Sequence, residues 1–155
     1  MTTEPIRRSI TVAQAPADAF DLFTARMASW WPLESHTRAE ANTGEKTEDV
    51  VFEPHVGGRI YEVLSTGEEG LWGMVTAWEP PTRVMFDWRP NDEDRPYTEV
   101  EVTFSATGDG RTRVDLEHRR WELLGPELGA DERAGYEPGW AYVFDERFGS
   151  AAGFA

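Results

Sequence analysis

The stretch LWGMVTAWEPPTRVMFDW, residues 71–88, decides how this chain folds. Trp72, Met74, Thr76 and Trp78 alternate along its first half, and Val84, Phe86 and Trp88 along its second. A period of two is the signature of a pleated strand, in which successive side chains point to opposite faces. Between the halves, Glu79-Pro80-Pro81-Thr82 stops both ladders, because proline donates no hydrogen bond and fixes φ. The stretch therefore reads as a β-hairpin. Three tryptophans and a phenylalanine are more apolar bulk than a solvated sheet needs. They either fill a core under a helix or wall a cavity.

Working outward, residues 6–12 read as a first strand with Ile6, Ile10 and Val12 on one face. Pro16 suits the first turn of a helix. Residues 17–28 then carry Ala19, Phe20, Phe23 and Met27 at helical spacing. Trp30-Trp31-Pro32 closes that segment, and residues 33–46 read as a loop. Strands follow at 47–52 and 59–64, separated by a turn that holds Gly57-Gly58. Residues 65–70 read as a hairpin loop and 89–96 as a charged loop. Beyond the central hairpin, 98–104 alternates cleanly through Val100, Val102 and Phe104, as half-buried antiparallel strands do. Gly108-Asp109-Gly110 is a turn signal. Residues 112–118 form another strand, with Val114, Leu116 and His118 inward. Residues 121–135, rich in glycine and acid, read as irregular. A final helix spans 137–151 with Trp140, Val143, Phe144 and Phe148 on its buried stripe, and Gly153 beyond it as a stop. The pattern gives an α+β fold: one antiparallel sheet of six or seven strands, a short helical segment after the first strand, and a C-terminal helix covering the inner face.

The 155 residues suit one domain, 1–155, large enough to bury a core without staples. No cysteine is present, which excludes disulfides, thiolate metal ligands and a thiol nucleophile. Fifteen Lys and Arg stand against 29 Asp and Glu, a formal charge of −14. Such a balance repels phosphate backbones, so nucleic acid is not an expected partner. The N-terminus lacks the apolar run of a signal peptide, and no stretch nears the ~20 apolar residues of a membrane span. A cytoplasmic protein, monomer or homodimer, is expected.

A set of motifs carries a family resemblance across nearly the whole chain. They are Ala15-Pro16, Trp30-Trp31-Pro32, Phe52-Glu53-Pro54 leading to Gly57-Gly58, Trp72-Gly73, Glu79-Pro80-Pro81, Phe86-x-Trp88, Leu116-x-His118-x-x-Trp121 and Gly139-Trp140. In this order they resemble the START-like, helix-grip superfamily, also labelled SRPBCC. The branch is the one related to activators of the heat-shock-protein-90 ATPase (AHSA-like). The resemblance implies a helix-grip fold, a sheet curved around the C-terminal helix with a cavity between them. It does not transfer a mechanism.

Candidate chemistry is sparse. His118, on the inward phase, can act as a general base, orient a ligand, or be a hydrogen-bonded wall residue. His55 lies in a turn, and His36 in a polar loop without a visible partner. No two histidines stand at metal-ligand spacing. Asp87, Glu99, Glu101 and Glu117 fall on outward phases, where nothing desolvates a carboxylate for acid–base work. Gly57-Gly58 lacks the pattern of a phosphate loop. The aromatic set is the sharper signal. It can wall a pocket or pack as solid core, and the resemblance tips the reading toward a pocket.

The expectation is thus a small hydrophobic or amphipathic ligand bound between the final helix and the strand pair 71–77 and 84–88, with no cofactor and no metal. Its liners would be Trp31, Trp72, Met74, Phe86, Trp88, Val102, His118, Trp121, Trp140 and Phe144. Two alternatives stay open. One is a co-chaperone-like module that stimulates a chaperone ATPase. The other is a cyclase or hydrolase acting in the cavity with His118 as base.

Overall fold

The computed structural model describes residues 2–37, 46–90 and 94–154. Seven antiparallel strands form one curved sheet: β1 (Ile6–Val12), β2 (Thr47–Phe52), β3 (Arg59–Leu64), β4 (Glu69–Glu79), β5 (Arg83–Trp88), β6 (Thr98–Ala106) and β7 (Thr112–Arg119). Their spatial order is β1-β7-β6-β5-β4-β3-β2. Only the β1–β7 pairing joins strands distant in the chain, with Ile6 opposite His118 and Val12 opposite Thr112. The expected α+β, helix-grip architecture is what the chain adopts.

Between β1 and β2 the expected helix over 17–28 is shorter. It runs as α1 (Pro16–Phe23) and resumes as a 3₁₀ turn (Met27–Ser29). Thr24 marks the break: its backbone N–H and its hydroxyl both bond to the Phe20 carbonyl, and such back-bonding bends helices. The apolar stripe survives, with Ala19, Phe20, Phe23 and Met27 all buried.

Two further expectations need correction. In β4, Met74 and Thr76 point outward; Met74 is 44% exposed. Trp72, Val75 and Trp78 are the residues that reach the core. The pairing with β3 slips at Trp72 and the pairing with β5 slips at Thr76. Each bulge adds a residue and converts the two-residue period into steps of three. Gly73 sits at the first slip because β4 passes so close to β5 there that a Cβ would overlap the Asp87 carbonyl. Asp87 is half-buried, and its carboxylate accepts the Met74 backbone N–H at 2.6 Å.

The second correction concerns 121–135, read as irregular. A 3₁₀ turn (Trp121–Leu124) leads directly into α2 (Pro126–Trp140), which continues as π-helical turns (Ala141–Phe148) and ends as α3 (Gly149–Ala152). The C-terminal helix is therefore nearly twice the expected length. Its low propensity comes from residues with positional work. Pro126 stands in the first turn, where no N–H is needed. Gly129 lets the helix lie against the Trp121 carbonyl, which a Cβ would strike. Pro138 sits inside the helix and removes one bond from the i→i−4 ladder. Just beyond it the Ala141 N–H is shared between the Glu137 and Pro138 carbonyls, and the wider turns begin.

The concave face of the sheet and the C-terminal helix enclose the core. Trp72, Phe86, Val100, Val102, Phe104, Val114 and Leu116 meet Trp140, Val143, Phe144 and Phe148, with Phe20, Phe23 and Trp30 closing one end. Among the described residues no helix is long and apolar enough to cross a membrane.

Candidate functional site

At the open end of the grip, β5 delivers Trp88, β7 delivers His118, and the C-terminal helix delivers Tyr136 and Trp140. Alternation places Phe86 and Trp88 inward on β5, and Leu116 and His118 inward on β7. Tyr136 and Trp140, four apart, share one side of α2.

His118 is fully buried and both ring nitrogens are engaged. The Trp140 indole N–H donates to Nδ1 at 2.9 Å. Nε2 lies 2.7 Å from the Thr98 hydroxyl, which in turn donates to the Trp88 carbonyl at 2.9 Å. The chain of donors is self-consistent for one tautomer: with Nδ1 accepting, Nε2 carries the proton and donates to Thr98 Oγ1. Burial pushes the imidazole well below its ordinary pKa, so it is neutral. The Trp121 ring lies 4.1 Å from the imidazole, centroid to centroid, and its indole N–H bonds the His118 carbonyl at 3.0 Å. A histidine with no free lone pair and no solvent contact cannot take a proton from a ligand. The geometry assigns His118 the wall role among the readings left open by the sequence, and gives it the task of holding Trp140 in place.

Trp31, Trp72, Trp88 and Trp140 pack as one cluster, with centroids 5.1–6.2 Å apart. Trp72 is closed off: its indole N–H bonds Glu62 Oε1 at 2.6 Å. Glu62 is itself fully buried, and its Oε2 accepts the Thr47 hydroxyl at 2.7 Å. The alternation Ile60–Glu62–Leu64 carries the signal of an inward acid on β3.

A slot of about 190 Å³ opens between this cluster and solvent. Its walls are aromatic: Trp31, Trp88, Tyr136 and Trp140. Ser35, His36 and Thr37 form the rim, and Pro90, Gly139 and Val143 complete the lining. The Trp31 indole N–H bonds the His36 carbonyl at 2.8 Å, which folds the rim segment over the wall. The His36 ring lies 5.3 Å from Tyr142, and its Nδ1 is 2.7 Å from the Ser35 hydroxyl. Burial lowers its pKa, with Glu34 acting in the opposite direction. Burial also raises the Tyr136 phenol well above its ordinary value, so it stays protonated. Outside the slot a shallower depression of about 540 Å³ shares His36, Tyr136 and Gly139 and adds Asp131 and Glu132.

Of the ten residues expected to line a cavity, Trp31, Trp88 and Trp140 line this slot. Trp72, Phe86, Val102, His118, Trp121 and Phe144 are buried in the core behind it. Met74 lies on the outer face of the sheet. The space is therefore at the end of β5, not across the width of β4 and β5. Reading the sequence missed Tyr136, one helical step of four before Trp140, and the rim at 35–37, which carries no periodic pattern at all. Among the described residues no three His, Asp or Glu side chains gather as metal ligands.

Residues 14–152 match the family model described as activator of Hsp90 ATPase homolog 1-like protein. Among solved structures, an anthrahydroquino-gamma-pyrone synthase, Txn09, is 33% identical, with a TM-score of 0.61 over 97% of this chain and 99% of its own. The self-sacrificing resistance protein CalC of Micromonospora echinospora is 26% identical, with a TM-score of 0.67 over 97% and 94%. The Aha1 dimer of Colwellia psychrerythraea shares the fold at 20% identity, with a TM-score of 0.66 over 98% and 96%. No curated protein matches significantly. The helix-grip architecture, the aromatic motifs and the extent of the match agree: this chain belongs to the activator of Hsp90 ATPase homolog 1-like family.

Proposed function

We propose that this chain binds a small, flat, hydrophobic or amphipathic molecule in the slot beside Trp88 and Trp140. The observation that carries the reading is a solvent-open space of about 190 Å³ with four aromatic walls, set against a grip otherwise filled by side chains. Binding sites for small molecules are typically concave, largely apolar and furnished with few polar groups; here those are His36, Ser35, Thr37 and Tyr136. The volume is at the small end for such sites and selects thin molecules over bulky ones. The solved synthase at 33% identity is named for a flat, fused-ring product, a shape that suits aromatic walls. The reading calls for neither redox nor metal chemistry.

Gly139 supplies the test. It lines the slot, and a Cβ built there meets nothing within 4 Å. Leucine at 139 would fill the slot without displacing the core. Flat bicyclic aromatics should quench the tryptophan fluorescence of the wild type saturably, and Gly139→Leu should abolish the saturable part. Saturable quenching of equal affinity in both proteins would place binding elsewhere and defeat the proposal. The family description favours a second reading, docking on a chaperone ATPase. Retention by a purified Hsp90, with no uptake of any aromatic probe, would establish that reading in place of the first.

A further inference from the structure

Six tryptophans of the chain are buried: Trp30, Trp31, Trp72, Trp88, Trp121 and Trp140. Five of them donate their indole N–H to a protein acceptor: a main-chain carbonyl for Trp30, Trp31 and Trp121, the Glu62 carboxylate for Trp72, and His118 for Trp140. Trp88 is the exception. It is 2% exposed, and its Nε1 has no hydrogen-bond partner among the described residues. A buried donor left unmade costs about 1–3 kcal/mol, and folded proteins pair nearly all of them. The ring has no freedom to seek an acceptor, because it is wedged among Trp31, Trp72, Phe86 and Trp140, with centroids 5.4–6.0 Å away. Its main-chain carbonyl is pinned by the Thr98 hydroxyl.

The same ring is a wall of the slot, and so is Tyr136. The phenol lies near enough to the Trp88 indole for each to influence the other, without hydrogen-bond geometry between them. Two polar hydrogens thus stand together at the inner end of an otherwise aromatic space. Neither is a charge, and no cationic side chain lines the slot. An anion is therefore not what they await. A neutral oxygen in the plane of a flat ring is, since it can accept both hydrogens while the ring faces meet Trp31 and Trp140.

We infer that the slot takes an aromatic ligand bearing a hydrogen-bond-accepting oxygen on its leading edge, a ring ketone or pyrone carbonyl, received by the Trp88 indole N–H with the Tyr136 hydroxyl beside it. The inference rests on the proposed binding function and adds the chemical class of the ligand. Trp88 is in this account the residue that sets specificity, and the aromatic walls supply affinity without it.

Chromone and naphthalene are suitable probes: both are flat bicyclics, and only chromone carries the carbonyl. Affinities are measured by ligand-observed NMR on the wild type, Trp88→Phe and Tyr136→Phe, each checked for the wild-type circular dichroism spectrum. Trp88→Phe is expected to weaken chromone about tenfold, the scale of one buried hydrogen bond, and to leave naphthalene within about twofold. Tyr136→Phe should weaken chromone by a smaller factor. In the ¹H–¹⁵N spectrum of the wild type, the Trp88 indole proton should move downfield with chromone and not with naphthalene. That measurement needs no variant and stands if Trp88→Phe does not fold. If naphthalene and chromone both bind, Trp88→Phe affects them equally, and the indole proton does not distinguish them, the N–H is merely hydrated. The inference is then wrong while the binding function stands. If neither probe binds the wild type, the binding function fails and takes the inference with it.

Discussion

The Trp140 indole donates to His118 Nδ1 at 2.9 Å, and this one bond ties the C-terminal helix to the far strand of the sheet. Trp140→Phe keeps most of the ring and removes the donor. It leaves a buried imidazole nitrogen unsatisfied, which should cost about 1–3 kcal/mol. The denaturation midpoint in urea measures it; an unchanged midpoint would show that the bond contributes nothing.

His118 also makes stability depend on pH. Burial holds its pKa well below the ordinary value in the native state, whereas the unfolded chain takes up a proton near pH ~6.5. Below that pH the unfolded state binds more protons than the native state, so stability falls as pH falls. Stability is complete above about pH 6.5 and declines by up to about 1.4 kcal/mol per pH unit beneath it. His36, lowered by its own partial burial, acts in the same direction. Urea titrations at pH 7.5 and 5.5 should show the loss in the wild type, and His118→Gln should remove most of the slope whatever its absolute stability. A wild-type midpoint that is flat over this range would refute a neutral, buried His118.

Two glycines should respond oppositely to the same substitution. At Gly73 a Cβ would overlap the Asp87 carbonyl, which is main chain and cannot step aside. Gly73→Ala should destabilise by at least the ~1–3 kcal/mol typical of overpacking. At Gly139 the added Cβ meets nothing within 4 Å, on a helix. Gly139→Ala should stabilise by up to about 1 kcal/mol through helix propensity. Thermal melts of both variants settle the matter; equal shifts of one sign would contradict the geometry.

Thr98 is the middle of the relay from His118 to the Trp88 carbonyl. Thr98→Val is close to isosteric and deletes both bonds, leaving a buried N–H and a carbonyl with no partner. A loss of about 1–3 kcal/mol is expected, together with weaker ligand uptake, because the pinned end of β5 also positions the Trp88 ring. Unchanged stability would mean that the hydroxyl carries no part of the relay.

Much of the fold was legible because strand polarity alternates. β1, β2 and β3 lie on the expected residues, and the hairpin turns at Glu79, where the Thr82 N–H bonds the Glu79 carbonyl at 2.8 Å. The misread phase of β4 has a local cause. A bulge leaves no mark in a hydrophobic pattern except a small residue, and Gly73 was that mark. The site was less legible. Three of its aromatic walls stood out as tryptophans in a motif, but its rim comes from 35–37, whose order derives from the Trp31 indole reaching a main-chain carbonyl and not from any periodicity. The length of the C-terminal helix was obscured because Gly129, Gly135, Pro138 and Gly139 serve close approach, the slot and the change of helix type, each at the expense of propensity.

The π-helical segment Ala141–Phe148 has a consequence for length variation in this chain. In an α-helix, residues four apart creep around the axis by about 40° per step. Here Trp140, Phe144, Phe148 and Ala152 succeed one another at intervals of four and all remain buried. The wider turns hold them in one line along the sheet. Removing a single residue from this segment would let ordinary α-helical turns close and would rotate everything downstream by about 100°. Phe148 would swing off Phe23 and Trp30, which it now contacts at centroid distances of 5.2 Å. The Gly153 carbonyl would lose the Ala13 N–H that it accepts at 2.6 Å. A loop in this protein can absorb an added or missing residue, but these eight positions cannot: the count between Trp140 and Gly149 is itself a structural constant of the grip.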